Sequence, residues 1–416
     1  MWNKPWKLKE GLWIGIGLAA TGLMLQWCCG AIRWNAFAYP VNIIVLAFFL
    51  VLIFAAHALR GKVYAFRWMS TWQAAVSSLI IVLLLTIVMG VVKQVPDHQE
   101  AIDFLGITRM LSFWPFVLLY MWMTVIVGLV TLRSLFAFKW RGVPFLLSHA
   151  GLFIVLVSAT LGSADMQRLK MTVGMEHPEW RAIGNNGVIH ELPIAIQLKR
   201  FFIDEYAPKL VLVNHLTGKT IPEKKAEMLL IDSVFTEGEL GKWHIRLNKK
   251  YDMAAPVMTR DTTNYVEWHS AGACSAVHVT VESKKKTAGE GAFCKREGWI
   301  TCGSYIFPYQ LLKLNDSTSL AMPEREPQRF VSHVEILTKS GKHAVTDILV
   351  NKPFEIDGWK VYQLSYDESK GRWSEVSVLE LVSDPWLPVV YTGISMMLLG
   401  ALLMFLSAQK KKEVQA

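Results

Sequence analysis

No Cys-x-x-Cys pair occurs in the 416 residues, although five cysteines are present: Cys28, Cys29, Cys274, Cys294 and Cys302. That absence excludes a zinc ribbon, a thioredoxin-type redox motif and a covalent c-type haem attachment site. Charge is also sparse. Only 19% of residues are Asp, Glu, Lys or Arg against 52% hydrophobic, which excludes a plain globular enzyme and points to a mixed membrane chain. No apolar window contains two histidines, so the paired ligands that usually hold a b-type haem on one helix are missing. Residues 164–384 lack a sustained helical period, which argues against a helical soluble domain.

What is abundant is apolar and clumped. Six windows of 19 to 22 residues are nearly free of charge: Gly11 to Ile32, Pro40 to Leu59, Thr71 to Val92, Trp114 to Leu132, Pro144 to Ser163 and Trp386 to Ser407. Each is long enough to cross a hydrocarbon core at 1.5 Å per helical residue. The first is too long for a signal-peptide core, and Trp27-Cys28-Cys29 at its end is no small-residue cleavage site. Basic residues fall in alternate short segments: Lys4, Lys7 and Lys9; Arg60, Lys62 and Arg67; Arg133, Lys139 and Arg141; Lys410, Lys411 and Lys412. By the positive-inside rule these segments, and both termini, are cytoplasmic, and residues 164–384 are periplasmic. The formal net charge of +9 is thus a rim of helix anchors. Nucleic acid is excluded as a partner, because the basic residues are not clustered on a folded domain.

The expected fold is six transmembrane helices with a large, mainly antiparallel β domain inserted before the last. The expected divisions are 1–60, an N-terminal hairpin; 68–163, a three-helix core; 164–384, the β domain; 385–407, the last helix; and 408–416, a basic tail. Alternating runs such as Ala195 to Leu198, Lys209 to Val213, Val277 to Val281 and Val376 to Leu381 read as strands. Turn signals at Gly184-Asn185-Asn186-Gly187, Lys339-Ser340-Gly341-Lys342 and Asp357-Gly358 separate them. Ile102, Leu105, Ile107 and Leu111 suggest a short amphipathic helix in the loop after the third span. Trp2, Trp6, Tyr64 and Trp68 read as interfacial anchors. Lys295 to Trp299 reads as a hairpin tip, making Cys294 and Cys302 a candidate disulfide.

His149 lies well inside an apolar window, with Gly151 beside it leaving room for a flat ligand or a close helix. A neutral imidazole in lipid requires a partner, either a neighbouring helix or a metal. His57 lies two residues from the end of its span and reads first as an interfacial side chain. It is also the alternative ligand.

Several strings then resemble the ResB/CcsB family of cytochrome c biogenesis proteins. They are Ser148-His149-Ala150-Gly151-Leu152, Glu191-Leu192-Pro193 leading to Phe201 through Tyr206, Val350-Asn351-Lys352-Pro353, Asp357 through Gln363, Ser365-Tyr366-Asp367, and Asp384-Pro385-Trp386 through Gly393. The resemblance implies System II cytochrome c maturation, in which haem b crosses the membrane and is bonded to a Cys-x-x-Cys-His apocytochrome c. It implies a CcsA/ResC-type membrane partner, a bacterial cytoplasmic (inner) membrane location, and a role for His149 as an axial haem ligand, its only metal contact being through haem iron. The late strings read as scaffold. The hairpin before residue 60 lies outside the family core, and the chain lacks the partner's Trp-Gly-x-x-Trp cluster, so it is not the fused single-chain form. No catalytic residue is assigned: the chain is expected to be a non-catalytic or co-catalytic subunit of a haem lyase complex. The alternatives are a b-type electron-transfer subunit pairing His57 with His149, and a cofactor-free assembly scaffold.

Overall fold

The computed structural model describes residues 2–96, 99–259, 263–283 and 295–415, with the backbone alone from 408 onward. The chain divides into two compact units, Met1–Arg168 with Val382–Ala416, and Leu169–Leu381.

The first unit is helical: α1 (Leu8–Cys29), α2 (Val41–Leu59), α3 (Tyr64–Met69), α4 (Trp72–Val91), α5 (Trp114–Phe136), α6 (Val143–Gly162) and α7 (Leu387–Gln415). All but α3 contain a segment long and apolar enough to cross a membrane. Pro115 and Pro144 sit in the first turns of α5 and α6, where the missing N–H is not needed. Asp384 Oδ1 accepts from the N–H groups of Trp386 (3.2 Å) and Leu387 (3.1 Å), capping the start of α7. The N-terminal hairpin is integral to this unit, since α1 packs on α4 and α5 while α2 packs on α5.

Gly151 answers the choice its sequence position left open. A Cβ there would meet Gly393 O of α7 at 2.5 Å, so the glycine serves a close helix and not a flat ligand. Beyond α6, Asp165 ties three chain segments together. It accepts from Tyr39 N (2.6 Å), Asn42 Nδ2 (2.6 Å) and Trp386 Nε1 (2.7 Å). Burial pushes its carboxyl up, but these donations outweigh burial and hold it below the usual carboxylate range.

Two expectations in this unit are corrected. The loop after α4 forms only a 3-10 helix over Ile107–Ser112, irregular at Arg109, which buries Thr108, Met110 and Ser112. Of the four apolar residues, Ile102 and Leu111 are exposed (76% and 59%), while Ile107 packs against the helical core. The cause is Asp103, whose carboxylate accepts from Ile107 N (2.7 Å), Thr108 N (2.7 Å) and Thr108 Oγ1 (2.6 Å) and so fixes a tight turn in place of an α-helix. Trp68 is buried, not interfacial: its indole donates to Trp6 O (3.2 Å), and Trp6 meets both Tyr64 and Trp68 edge-on. The span pattern could not reveal this, because an aromatic beside a basic loop suits either an interface or a packed corner.

The second unit is built of antiparallel sheet. Its largest sheet runs β14 (His343–Leu349), β13 (Pro327–Thr338), β3 (Ile189–Glu205), β2 (Glu179–Gly184), β1 (Gln167–Gly174), β17 (Val376–Ser383), β16 (Trp359–Tyr366) and β15 (Phe354–Ile356). A second sheet runs β10 (Lys295–Thr301), β9 (Cys274–Ser283), β7 (Trp243–Met258) and β6 (Glu237–Leu240), with β8 (Thr263–Glu267) also on β7. A third runs β11 (Leu312–Lys313), β12 (Thr318–Ala321), β4 (Lys209–Asn214) and β5 (Met228–Leu230). Period-two burial builds one core from Met171, Ile196, Val334, Val361 and Leu379, and another from Leu212, Ile245, Val279, Ile300 and Leu320. Asp357 and Gly358, both at positive φ (47° and 79°), form the two-residue turn that pairs Ile356 with Trp359.

Lys295 to Trp299 is not a hairpin tip. These residues belong to β10, whose Lys295 pairs with Glu282 and whose Thr301 pairs with Ala276. Cys294 lies outside the described residues, and Cys302 is a free thiol.

Candidate functional site

The basic ends of α4, α5 and α6 enclose a cavity of about 690 Å³, within the roughly 300–1,000 Å³ of small-molecule sites. Its walls are largely apolar: Ala75 and Leu79 from α4, Met123, Ile126, Val127 and Val130 from α5, Phe145 and Leu152 from α6. His149 lines it. Small α4 residues, Ala75 and Ser78, leave room on one side of it, while α5 keeps Leu119 and Trp122 buried and out of its lining.

The imidazole is oriented from within its own helix. His149 Nδ1 lies 3.0 Å from Phe145 O, and a carbonyl oxygen can only accept, so Nδ1 carries the proton. The lone pair is left on Nε2, the arrangement in which an imidazole ligates a metal. The Phe145 ring stacks on the imidazole at 3.8 Å between centroids and 28° between planes, holding it flat against the helix. The donor set suits a planar, largely apolar metal complex: one imidazole nitrogen, aliphatic and aromatic walls, and cations at the basic end of the cavity.

His57 is placed elsewhere. It is buried in α2, stacked on Phe136 at 5.0 Å, with both ring nitrogens within 3.2 Å of Arg60 Nη1, and it does not line this cavity. The structure therefore does not bring His57 and His149 together around one ligand. Sequence reasoning missed Ser78, Phe145 and Arg133 as lining residues. Phe145 was findable, being four residues before His149 and so one turn away on the same face.

The β unit has a smaller polar cavity of about 250 Å³, lined by Glu205, Cys274, Cys302, Arg325 and Arg372 among others. Arg372 Nη1 lies 3.0 Å and Arg325 Nε 3.5 Å from Glu205 Oε2. Burial pushes the Glu205 carboxyl up, while Arg372 and Arg325 oppose it. Burial likewise raises both thiols, that of Cys274 being partly offset by donation from Thr301 Oγ1 (3.1 Å). These groups satisfy one another. Trp373 Nε1, which donates to Ala273 O (3.2 Å), and Arg372 stitch the segment after β16 to the ends of β3 and β9, as a scaffold does.

The six apolar helices and the inserted antiparallel unit define a multi-pass membrane protein. Residues 308–378 match the family model described as the ResB-like family. The match supports the ResB/CcsB family and implies a general role in cytochrome c biogenesis, in which that family works with a CcsA-type partner. It covers the Asn351-Lys352-Pro353 and Asp357-to-Gln363 strings and ends before α7; α6 and His149 lie outside it. No curated protein matches the chain.

Proposed function

We propose that the chain is the haem-handling subunit of a System II cytochrome c synthase, acting with a CcsA/ResC-type partner in a bacterial cytoplasmic membrane. Haem b is its cargo. His149 Nε2 supplies one axial bond to the iron from within the apolar cavity, and a histidine of the partner supplies the other. The β unit lies on the periplasmic side, where thioether bonds to the apocytochrome form. The cavity's aliphatic walls exclude water from the porphyrin faces, and the Phe145 carbonyl holds the tautomer that leaves Nε2 free. The chain holds and presents haem; it contributes no nucleophile to the thioether step.

The observation that carries this reading is a histidine with a committed Nδ1 and a free Nε2 lining a cavity of about 690 Å³ among membrane-length helices. The test is an absorption spectrum of the complex co-expressed with its partner. Substituting His149→Ala is expected to shift or abolish the Soret band, and His57→Ala is expected to leave it unchanged. A Soret band indifferent to His149→Ala defeats the proposal, and a colourless wild-type complex would favour a cofactor-free scaffold.

A further inference from the structure

We propose that Arg133 and Lys139 form a carboxylate clamp at the basic mouth of the His149 cavity, fixing which edge of the cargo faces the helix ends. The inference rests on the haem reading above and adds the orientation of the cargo. Both residues line the cavity, Arg133 in the last turn of α5 and Lys139 just beyond it. Arg133 spends one N–H on Ser70 O (3.1 Å), leaving the rest of its planar fork of five donors. Among the described residues no carboxylate lies within ion-pair distance of either cation. The positive end of the α6 macrodipole adds to the same field.

Position decides the rest. His149 is six residues into α6, so its ring sits about 9 Å of helix rise from the first residue of that helix. The cations lie nearer the helix ends, where the chain turns from α5 to α6. An ionised carboxylate left among the aliphatic walls would cost several kcal/mol. A porphyrin whose iron meets His149 therefore has to point its two carboxylates at Arg133 and Lys139. The same cations could take an anionic lipid headgroup, and the experiment separates these sources.

The purified complex in a neutral detergent is titrated with haem and with haem dimethyl ester, which keeps the iron and ring but has no ionisable carboxylate. A charge-assisted hydrogen bond strengthens binding by about tenfold or more, so haem is expected to bind at least about tenfold more tightly than the ester. Arg133→Gln and Lys139→Gln are each expected to narrow that gap by weakening haem alone. Because Arg133 also holds Ser70, the ester comparison on wild-type protein and the Lys139→Gln variant carry the test if Arg133→Gln misfolds. Equal affinity for haem and ester in wild type overturns the clamp, and so does a haem-over-ester preference that persists unchanged in Lys139→Gln. Anionic phospholipid that weakens ester binding as strongly as haem binding would assign the cations to lipid and overturn it too. His149→Ala is expected to change the Soret position and leave the preference for acid over ester intact. If the preference stands while the spectrum ignores His149→Ala, the axial-ligand reading fails and the clamp survives.

Discussion

Replacing Gly151 with alanine tests the close seam between α6, which carries His149, and α7. The added Cβ would stand 2.5 Å from Gly393 O, 2.8 Å from Met397 N and 2.9 Å from Met397 Cγ, where ordinary contact begins at 3.4 Å. Two of these three obstacles are backbone, so no rotamer change relieves them, and α7 must retreat from α6. Overpacking of this kind costs about 1–3 kcal/mol. Gly17 of α1 provides the control, because a Cβ there meets nothing within 4 Å. Alanine at that position should be neutral or should stabilise by about 0.5–1 kcal/mol. The assay is the midpoint of unfolding of the purified full chain in detergent as a denaturing detergent is titrated in, followed by tryptophan fluorescence. Gly151→Ala should lower the midpoint and Gly17→Ala should not. The helices touch reciprocally, a Cβ on Gly393 lying 2.8 Å from Gly151 O, so Gly393→Ala should cost a similar amount and the double variant less than the sum. Equal midpoints for Gly151→Ala and Gly17→Ala would refute the close seam.

Asp103 makes the outer loop acid-sensitive. Burial pushes its carboxyl up, yet donations from the Thr108 hydroxyl and from the Thr108 and Ile107 N–H groups overcome this and hold it at about 2, against an ordinary 3.8. A depressed folded value means the stabilisation is fully present above pH 3.8 and fades as pH falls toward about 2. Pepsin cleavage of the loop should accelerate through that window in wild type and show no such step in Asp103→Asn; parallel curves would dismiss the carboxylate. In the β unit, Ser332 Oγ (2.5 Å) and Ser377 Oγ (3.0 Å) both donate to buried Gln363 Oε1. Ser332 Oγ and Ser377 Oγ are also 2.7 Å apart, so Gln363→Leu leaves one of the two buried hydroxyls short of an acceptor and should destabilise the unit by about 1–3 kcal/mol, seen as a lower thermal midpoint. An unchanged midpoint would show that the serines satisfy each other.

Much of the architecture was legible in the chain because lipid solubility is a composition rule. The long helices begin within a few residues of a charge-free window and, except for α7, which runs on to Gln415, end within a few residues of one, α4 being Trp72–Val91 against an expected Thr71 to Val92. Strands β3, β4, β9 and β17 contain the alternating runs that announced them. What failed did so where one polar contact overrode a pattern. Asp103 converted an apolar period into a tight turn, and Trp6 drew Trp68 off the interface. The hairpin reading of Lys295 to Trp299 failed because the glycine at 298 sits within a strand and not at a reversal. As for the site, His149 was visible as an isolated imidazole, but the cavity was not. Its volume depends on which small side chains of α4 face α5, a matter of helix rotation that composition does not encode. Arg133 and Lys139 were read for topology alone, and only their placement on one cavity gave them a chemical role.

The strands that open and close the β unit, β1 and β17, are immediate neighbours in its largest sheet. The polypeptide thus leaves the helices and returns to them through a single narrow doorway, and the long excursion between is topologically a cassette. A short turn could bridge residue 166 to residue 384 without rethreading any other strand, and a different module could be spliced in at the same doorway. Such a graft would let the membrane-length helices and the β cassette be bred, exchanged and assayed as separate inheritable parts.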